Sequence, residues 1–198
     1  MVPGIGRGRV VQFGSFSIPP SLPRDGVTDT EKEWRRLDAA LGKIKATYDH
    51  RLNTAKGIEE ELLKVHQSIA RDVDFQSSLR AAVTERKRTA AGAIEDTEAL
   101  FSKMLAASGN EMLRERALDI QDVCLQLLRE IYGDAAKTAE VKLTADAVVV
   151  AESLTPGQFL ALDRKFLKGL VLASAGGTSH MVILARSSIF RRSPAWRN

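Results

Sequence analysis

The sequence predicts a mixed α+β/α/β chain, a four-helix bundle joined to a short parallel α/β segment. Residues 28–133 place apolar side chains at intervals of three and four, the helical period. Residues 134–188 change period and carry the continuous apolar run Ala147-Val148-Val149-Val150-Ala151, as in a strand buried on both faces. Residues 1–27 hold four of the six prolines and read as a strand plus linker.

In the first stretch, Val10–Phe13 is a candidate strand and Ser17–Pro23, with Pro19, Pro20 and Pro23, an extended linker. Thr28 to Glu31 offers a capping box for the first helix, and Thr30 with Glu33 a second. Trp34, Leu37, Leu41, Ile44, Tyr48, Leu52, Ala55, Ile58, Leu62, Val65 and Ile69 then form one long stripe, with Gly42 and Gly57 as its weak points. Asp72 is placed to cap a second helix carrying Phe75, Leu79 and Val83. A third spans about 90–107, with Ala93, Leu100, Met104 and Leu105 on its apolar side. After Ser108-Gly109-Asn110, a fourth carries Leu113, Ala117, Ile120, Cys124, Leu127, Leu128 and Ile131 and ends at Gly133. Short connections make such helices antiparallel neighbours. Thr155-Pro156 can start a short helix, and Leu170–Ala173 reads as a second strand. Residues 189–198, with three arginines and Trp196, have no period and read as an irregular tail.

Composition narrows the function. A chain of 198 residues fits one or two domains. It has no room for a barrel of about 250 residues beside them. Aromatic residues are 6%, too few for a stacking platform for single-stranded nucleic acid. The charge of +4, from 29 basic and 25 acidic residues, is interspersed; it suits an acidic or phosphorylated partner better than nucleic acid. One cysteine excludes an intramolecular disulfide or a cysteine zinc cluster and reads as a reduced, cytoplasmic chain. No apolar run approaches the 18 or so residues of a membrane span, and no secretory leader is legible.

The chemistry concentrates in Gly176-Gly177-Thr178-Ser179-His180. Glycines after a strand let the backbone turn and approach a ligand closely. A helix start offers free N–H groups and a positive dipole end to a phosphate, and Thr178 or Ser179 can cap it. A histidine there can attack a phosphoryl group and hold it covalently. On spacing alone the same residues better suit a histidine that merely begins a core-packed helix, since the loop is neither a Walker A motif nor a dinucleotide fingerprint.

A family resemblance separates those readings. Gly176 to Ser187 resembles the GG-x-TSH-x-x-I-x-AR signature of PEP-utilising enzymes, with Ala175 where a glycine is usual. Pro3-Gly4-Ile5-Gly6-Arg7-Gly8-Arg9-Val10 is similar to the SPGIAIGKA opening of enzyme I of the sugar phosphotransferase system. His66, Asp72 and Phe75 resemble its H-x5-D-x-x-F helical pattern. Leu113 to Val123 resembles its YLRERAADIRDV helix, with Gln121 in place of an arginine, and Leu154-Thr155-Pro156 its DLTPS turn. The matches span residues 3–188 in the family's order.

The resemblance implies an HPr-binding bundle inserted into a phosphohistidine swivelling α/β domain. It divides the chain into 1–27 (first segment and linker), 28–133 (helical HPr-binding subdomain), 134–188 (partial phosphohistidine subdomain) and 189–198 (atypical tail). His180 matches the histidine that takes phosphoryl from phosphoenolpyruvate (PEP) and passes it to the phosphocarrier HPr. Thr155 matches the threonine that meets its imidazole. Gly176, Gly177, Thr178, Ser179 and Arg186 accompany it, although Arg186, six residues on, lies about 240° around an ideal helix and equally suits an ion pair. His66, Asp72, Phe75, Arg114 and Arg116 fall on the docking side. His66 there is structural or interfacial rather than catalytic, and Arg114, Glu115, Arg116, Asp119 and Asp122 first suggest a charge network within and between helices. His50 reads as a solvated position and Cys124 as an inert core thiol.

No cofactor or metal is expected in this chain. In the family, magnesium and PEP bind a C-terminal barrel, so PEP would act only through that part. The match ends at Ser187-Ser188, which suggests a truncated or frameshifted product, incomplete at its C-terminus, with an uncovered sheet edge. The other reading is a non-catalytic HPr-docking fragment with a vestigial phosphohistidine site; a basic helical nucleic-acid binder is a distant third.

Overall fold

The computed structural model describes residues 6–13, 16–109, 111–136 and 143–173, and of residues 111, 112, 114 and 115 only the helical backbone. Contacts divide the chain into two compact units: Ser17–Thr138, and a second made of the segments on either side of it.

In the helical unit, α1 (Thr30–Leu52) begins at Asp29, whose carboxylate accepts the Lys32 N–H at 2.9 Å. The capping boxes expected at Thr28 and Thr30 are thus replaced, because Asp29 already fills the cap with an acceptor at least as good as threonine. Glu33 instead accepts the Ala90 N–H at 2.7 Å and so caps a different helix. The long stripe also divides: α1 stops at Leu52 and α2 spans Ile58–Arg71. The break falls at Gly57, whose φ of +61° L side chains rarely adopt. Gly42 stays inside α1, since its roughly 1 kcal/mol propensity cost is outweighed by the packed residues around it.

α3 (Val73–Thr84) starts where the sequence predicts, with the Asp72 carboxylate accepting the Phe75 N–H at 2.7 Å. α4 (Ala90–Ala107) is capped by Thr89, and α5 spans Glu111–Tyr132 with a 3₁₀ turn after it. Among the described residues the bundle therefore has five helices where four were expected.

Side-chain pairs fix the helix directions. Tyr48 meets His66 while Arg51 pairs with Glu59, so α1 and α2 are antiparallel. Phe75 meets Phe101 and Ser78 meets Thr97, so α3 and α4 are antiparallel. Gln121 bonds Glu98 and the Tyr132 hydroxyl accepts the Ala91 N–H, so α4 and α5 are too. Leu37, Leu41, Leu79, Ile94, Leu127 and Leu128 are fully buried between them.

Residues 17–25 are fastened to the start of α4. Arg24 donates to the carbonyls of Ile18, Pro19 and Leu22 and pairs with Glu95 at 3.1 Å. Thr89 donates its N–H to Arg24 O at 3.0 Å and its hydroxyl to Pro23 O at 2.6 Å.

Among the described residues, the second unit holds three parallel strands in the order β1 (Arg9–Phe13), β2 (Ala147–Ala151), β3 (Leu167–Leu172). Val11 pairs with Val149 and Val149 with Leu170; Lys168 is an extra residue where the β2–β3 register shifts. β2 is central among the described strands, which is why its run is apolar throughout. α6 (Pro156–Ala161) makes the crossover to β3 and buries Phe159.

A Cβ on Gly92 would land on the Arg24 carbonyl. Gly92→Ala is expected to lower stability by about 1–3 kcal/mol through overpacking, read from urea unfolding. A variant as stable as the parent would show that this segment is not seated on α4.

Candidate functional site

Parallel strands end on the same side of their sheet, and in α/β folds ligands gather there. β2 and β3 end together, with the Ala173 N–H donating to Ala151 O at 3.1 Å. From one strand the chain runs four residues to Thr155; from the other it runs into the glycine-rich motif. Thr155 is 2% exposed. Its hydroxyl accepts the Gln158 N–H at 3.1 Å, and the Gln158 side-chain oxygen accepts the Thr155 N–H at 3.0 Å. This reciprocal capping box holds Thr155 at the strand-to-helix turn. Gly176, Gly177, Thr178, Ser179, His180 and Arg186 lie outside the described residues.

The expected partner-binding residues divide by burial. Asp72 and Arg116 are exposed, and Asp72 also caps α3. Phe75 is fully buried against Phe101, at 5.8 Å between ring centroids, and His66 is 2% exposed. As packed, these two can shape a docking surface but do not form it. Arg114's side chain lies outside the described residues.

Sequence reasoning missed the exposed apolar residues. Leu100, Met104 and Leu113 were expected in the core but are 47%, 61% and 38% exposed; Val73 is 75% exposed. The helix directions bring the start of α3, the end of α4 and the start of α5 to one end of the bundle, so all four gather there. Periodicity alone does not distinguish a core stripe from a neighbouring apolar face. The available signal was width: Ile94 and Thr97 already supply α4's buried row, and Leu100 and Met104 lie one position to its side.

His66 marks a polar junction of three helices. Its ring lies 5.9 Å from Tyr48 of α1, and its Nε2 is 3.6 Å from Asp122 Oδ2 and 3.8 Å from Asp119 Oδ1 of α5. Neither carboxylate is within hydrogen-bonding distance of that nitrogen. His66 Nε2 and the Tyr48 hydroxyl are buried without hydrogen-bond partners. Burial, with a smaller contribution from the Arg51 charge, pushes His66 down to about 4. The two carboxylates pull upward, but without a hydrogen bond to the ring desolvation prevails. Burial and the nearby Asp122 charge raise Tyr48, and burial raises Cys124, which stays a thiol. His50 is exposed.

Among the described residues no three His, Cys, Asp or Glu side chains group as a metal site. No described helix is long and apolar enough to cross a membrane.

The N-terminal model of PEP-utilising enzymes matches residues 1–116, and the model of their mobile domain matches residues 143–188. The chain belongs to the PEP-utilising enzyme family. It is 40% identical over 167 residues to Multiphosphoryl transfer protein 2 of Escherichia coli K12, covering 84% of this chain and 20% of that protein. It is 30% identical over 171 residues to the Phosphoenolpyruvate-protein phosphotransferase of Priestia megaterium, covering 84% and 30%. The chain therefore spans less than a third of either relative. Its fold matches an NMR structure of Enzyme I (TM-score 0.60, 22% identity, 94% of this chain and 76% of that one). It also matches the N-terminal domain of Enzyme 1 - Nitrogen (TM-score 0.55, 20% identity, 93% and 76%). The bundle with its small parallel sheet is thus the N-terminal fold of this branch of PEP-utilising enzymes.

The histidine junction makes the helical unit acid-sensitive. A ring whose folded pKa lies below its unfolded value of about 6.5 gives its full stabilisation above that pH and loses it as pH falls toward 4. The loss is about 3 kcal/mol over that window. Urea midpoints of parent and His66→Gln are expected to diverge between pH 7 and 4, with the parent losing more. Parallel curves would mean that His66 is not the group responsible.

Proposed function

We propose that this chain is the phosphoryl-carrying unit of a PEP–protein phosphotransferase. His180 accepts a phosphoryl group that originates from PEP and passes it to HPr, which docks on the helical unit. One observation carries the reading: the PEP-utilising mobile-domain match covers β2, Thr155, β3 and the His180 motif together. β2, which leads to Thr155, and β3, which precedes that motif in the sequence, end together, with the Ala173 N–H donating to Ala151 O.

The chemistry needs little acid–base assistance. A neutral imidazole nitrogen attacks phosphorus, a P–N bond forms, and the bond from phosphorus to the donor breaks with its electron pair leaving on the donor. Transfer to HPr is the reverse step with the carrier's histidine as nucleophile. An ordinary histidine is neutral enough near pH 7, so positioning dominates. Gly176 and Gly177 allow close backbone approach, Thr178 and Ser179 offer hydroxyl and N–H donors, and Thr155 orients the ring. Arg186 is a further candidate for the phosphoryl charge.

The docking face is assigned to the bundle end where Val73, Leu100, Met104 and Leu113 are exposed beside Asp72 and Arg116. Exposed apolar groups with a polar rim suit a transient protein partner. PEP and magnesium are assigned to a part of the enzyme beyond these 198 residues.

Incubation with ³²P-labelled phospho-HPr tests the reading. Acid-labile label on the chain, abolished in His180→Ala, is the expected result, and PEP alone should transfer none. Binding of HPr without label would favour a docking module instead, a reading that the exposed bundle end supports by itself. Met104→Glu is expected to weaken HPr binding by about tenfold or more, as for a central contact. Its thermal stability should stay close to the parent's, as for a surface change. Undiminished affinity would move the docking face elsewhere.

A further inference from the structure

We infer that Gln158 is a positioning residue for the phosphoryl-carrying site: its side-chain oxygen, by holding the Thr155 N–H, fixes where the Thr155 hydroxyl oxygen stands for the ring of His180. The inference deepens the phosphoryl-transfer reading above and rests on it for its rate measurement.

Each rotatable bond of Thr155 meets a separate constraint. The residue lies four positions beyond the end of β2 and has an extended backbone, with φ −73° and ψ 153°. Pro156 follows it, is itself buried, and disfavours a helical ψ at the residue before it. The Thr155 N–H is donated to Gln158 Oε1 at 3.0 Å, which restrains φ. The Gln158 N–H is donated to the Thr155 hydroxyl at 3.1 Å, which restrains χ1 in a side chain already stiff through β-branching. Leu154 and Phe159, 1% and 0% exposed, pin the chain on either side. What remains is rotation of the O–H about the Cβ–Oγ bond. The oxygen is set in place while its proton can still turn toward an acceptor.

A helix cap alone needs less than this. The hydroxyl half of the box already satisfies a free N–H at the start of α6. The glutamine half acts on Thr155 itself, whose N–H lies ahead of the helix. Ordering a half-buried glutamine costs side-chain entropy, and what it returns is an immobile threonine. Such a hydroxyl can donate to the lone-pair nitrogen of a neutral imidazole or to a phosphoryl oxygen. Its fixed place matters because phosphoryl transfer depends chiefly on positioning. Methionine has the length of glutamine but no strong acceptor. Gln158→Met therefore releases the Thr155 N–H while keeping the hydroxyl half of the cap and the bulk of the side chain.

The test uses the full chain with ³²P-labelled phospho-HPr as donor and follows labelling in single turnovers at rising donor concentration. Gln158→Met is expected to lower the maximal rate about tenfold, less than the roughly hundredfold that a 1 Å misplacement can cost. The donor concentration that gives half the maximal rate should stay within about twofold of the parent's, as for a change in positioning without a change in docking. Thr155→Val combined with Gln158→Met should be no slower than Thr155→Val alone, because the glutamine acts through the threonine. An unchanged maximal rate, or losses that multiply in the double variant, would overturn the inference. NMR adds a measurement that needs no transfer. Gln158→Met should displace the His180 ring resonances in the same direction as Thr155→Val does, and ring signals that ignore it would sink the inference. In the parent, the Thr155 amide should exchange slowly in deuterated water; free exchange would remove the proposed hold, whether or not the variants fold. If the parent takes no label, the phosphoryl-transfer reading falls alone, and the ring signals decide the role of Gln158.

Discussion

The parallel pairing of β1 with β2 is the constraint on which the rest depends. Arg9–Phe13 and Ala147–Ala151 are joined residue for residue although more than a hundred residues separate them in the chain. Parallel neighbours require a crossover, and here the crossover is the entire helical unit. Closing so long a loop as a random coil would be slow and entropically costly. A bundle with its own buried core removes much of that difficulty, because its local helix contacts order the intervening chain. Arg24, Thr89 and Gly92 serve the same end by fastening the incoming segment to α4.

The same pairing sets the place of the chemistry. With β2 central among the described strands and β3 parallel to it, the two strands end together, and Thr155 follows β2 on that side. The capping box makes the threonine part of a fixed turn rather than a loose loop residue. In the proposed function, a histidine that takes phosphoryl originating from PEP and gives it to HPr benefits from fixed surroundings, because positioning supplies much of the rate.

The helical unit shows the opposite balance. Its core is apolar and closely packed, yet among the three side-chain atoms of the described residues that are buried without hydrogen bonds are Tyr48 Oη and His66 Nε2. Each costs on the order of 1–3 kcal/mol by general experience. They occur where α1, α2 and α5 converge, just inside the end at which apolar side chains are exposed. Departures from local rules concentrate at working parts of proteins, and the exposure of Val73, Leu100, Met104 and Leu113 is a departure of the same kind.

The sequence by itself determined what depends on near neighbours. Asp72 had to cap a helix because a carboxylate there reaches an N–H three residues on. Ala147–Ala151 had to be a buried strand because both of its faces are apolar. Thr155-Pro156 had to open a helix, and the motif around His180 was legible because its glycines, hydroxyls and histidine are contiguous. Tertiary structure decided what depends on distant partners. It chose Gly57 over Gly42 as the break, gave Glu33 to α4 rather than to its own helix, and turned Leu100, Met104 and Leu113 outward from what reads as a core stripe. It also buried His66 and Phe75, which the family resemblance had placed on the docking side. Helical periodicity tells which residues share a face, but only the packing of the other helices determines whether that face is covered.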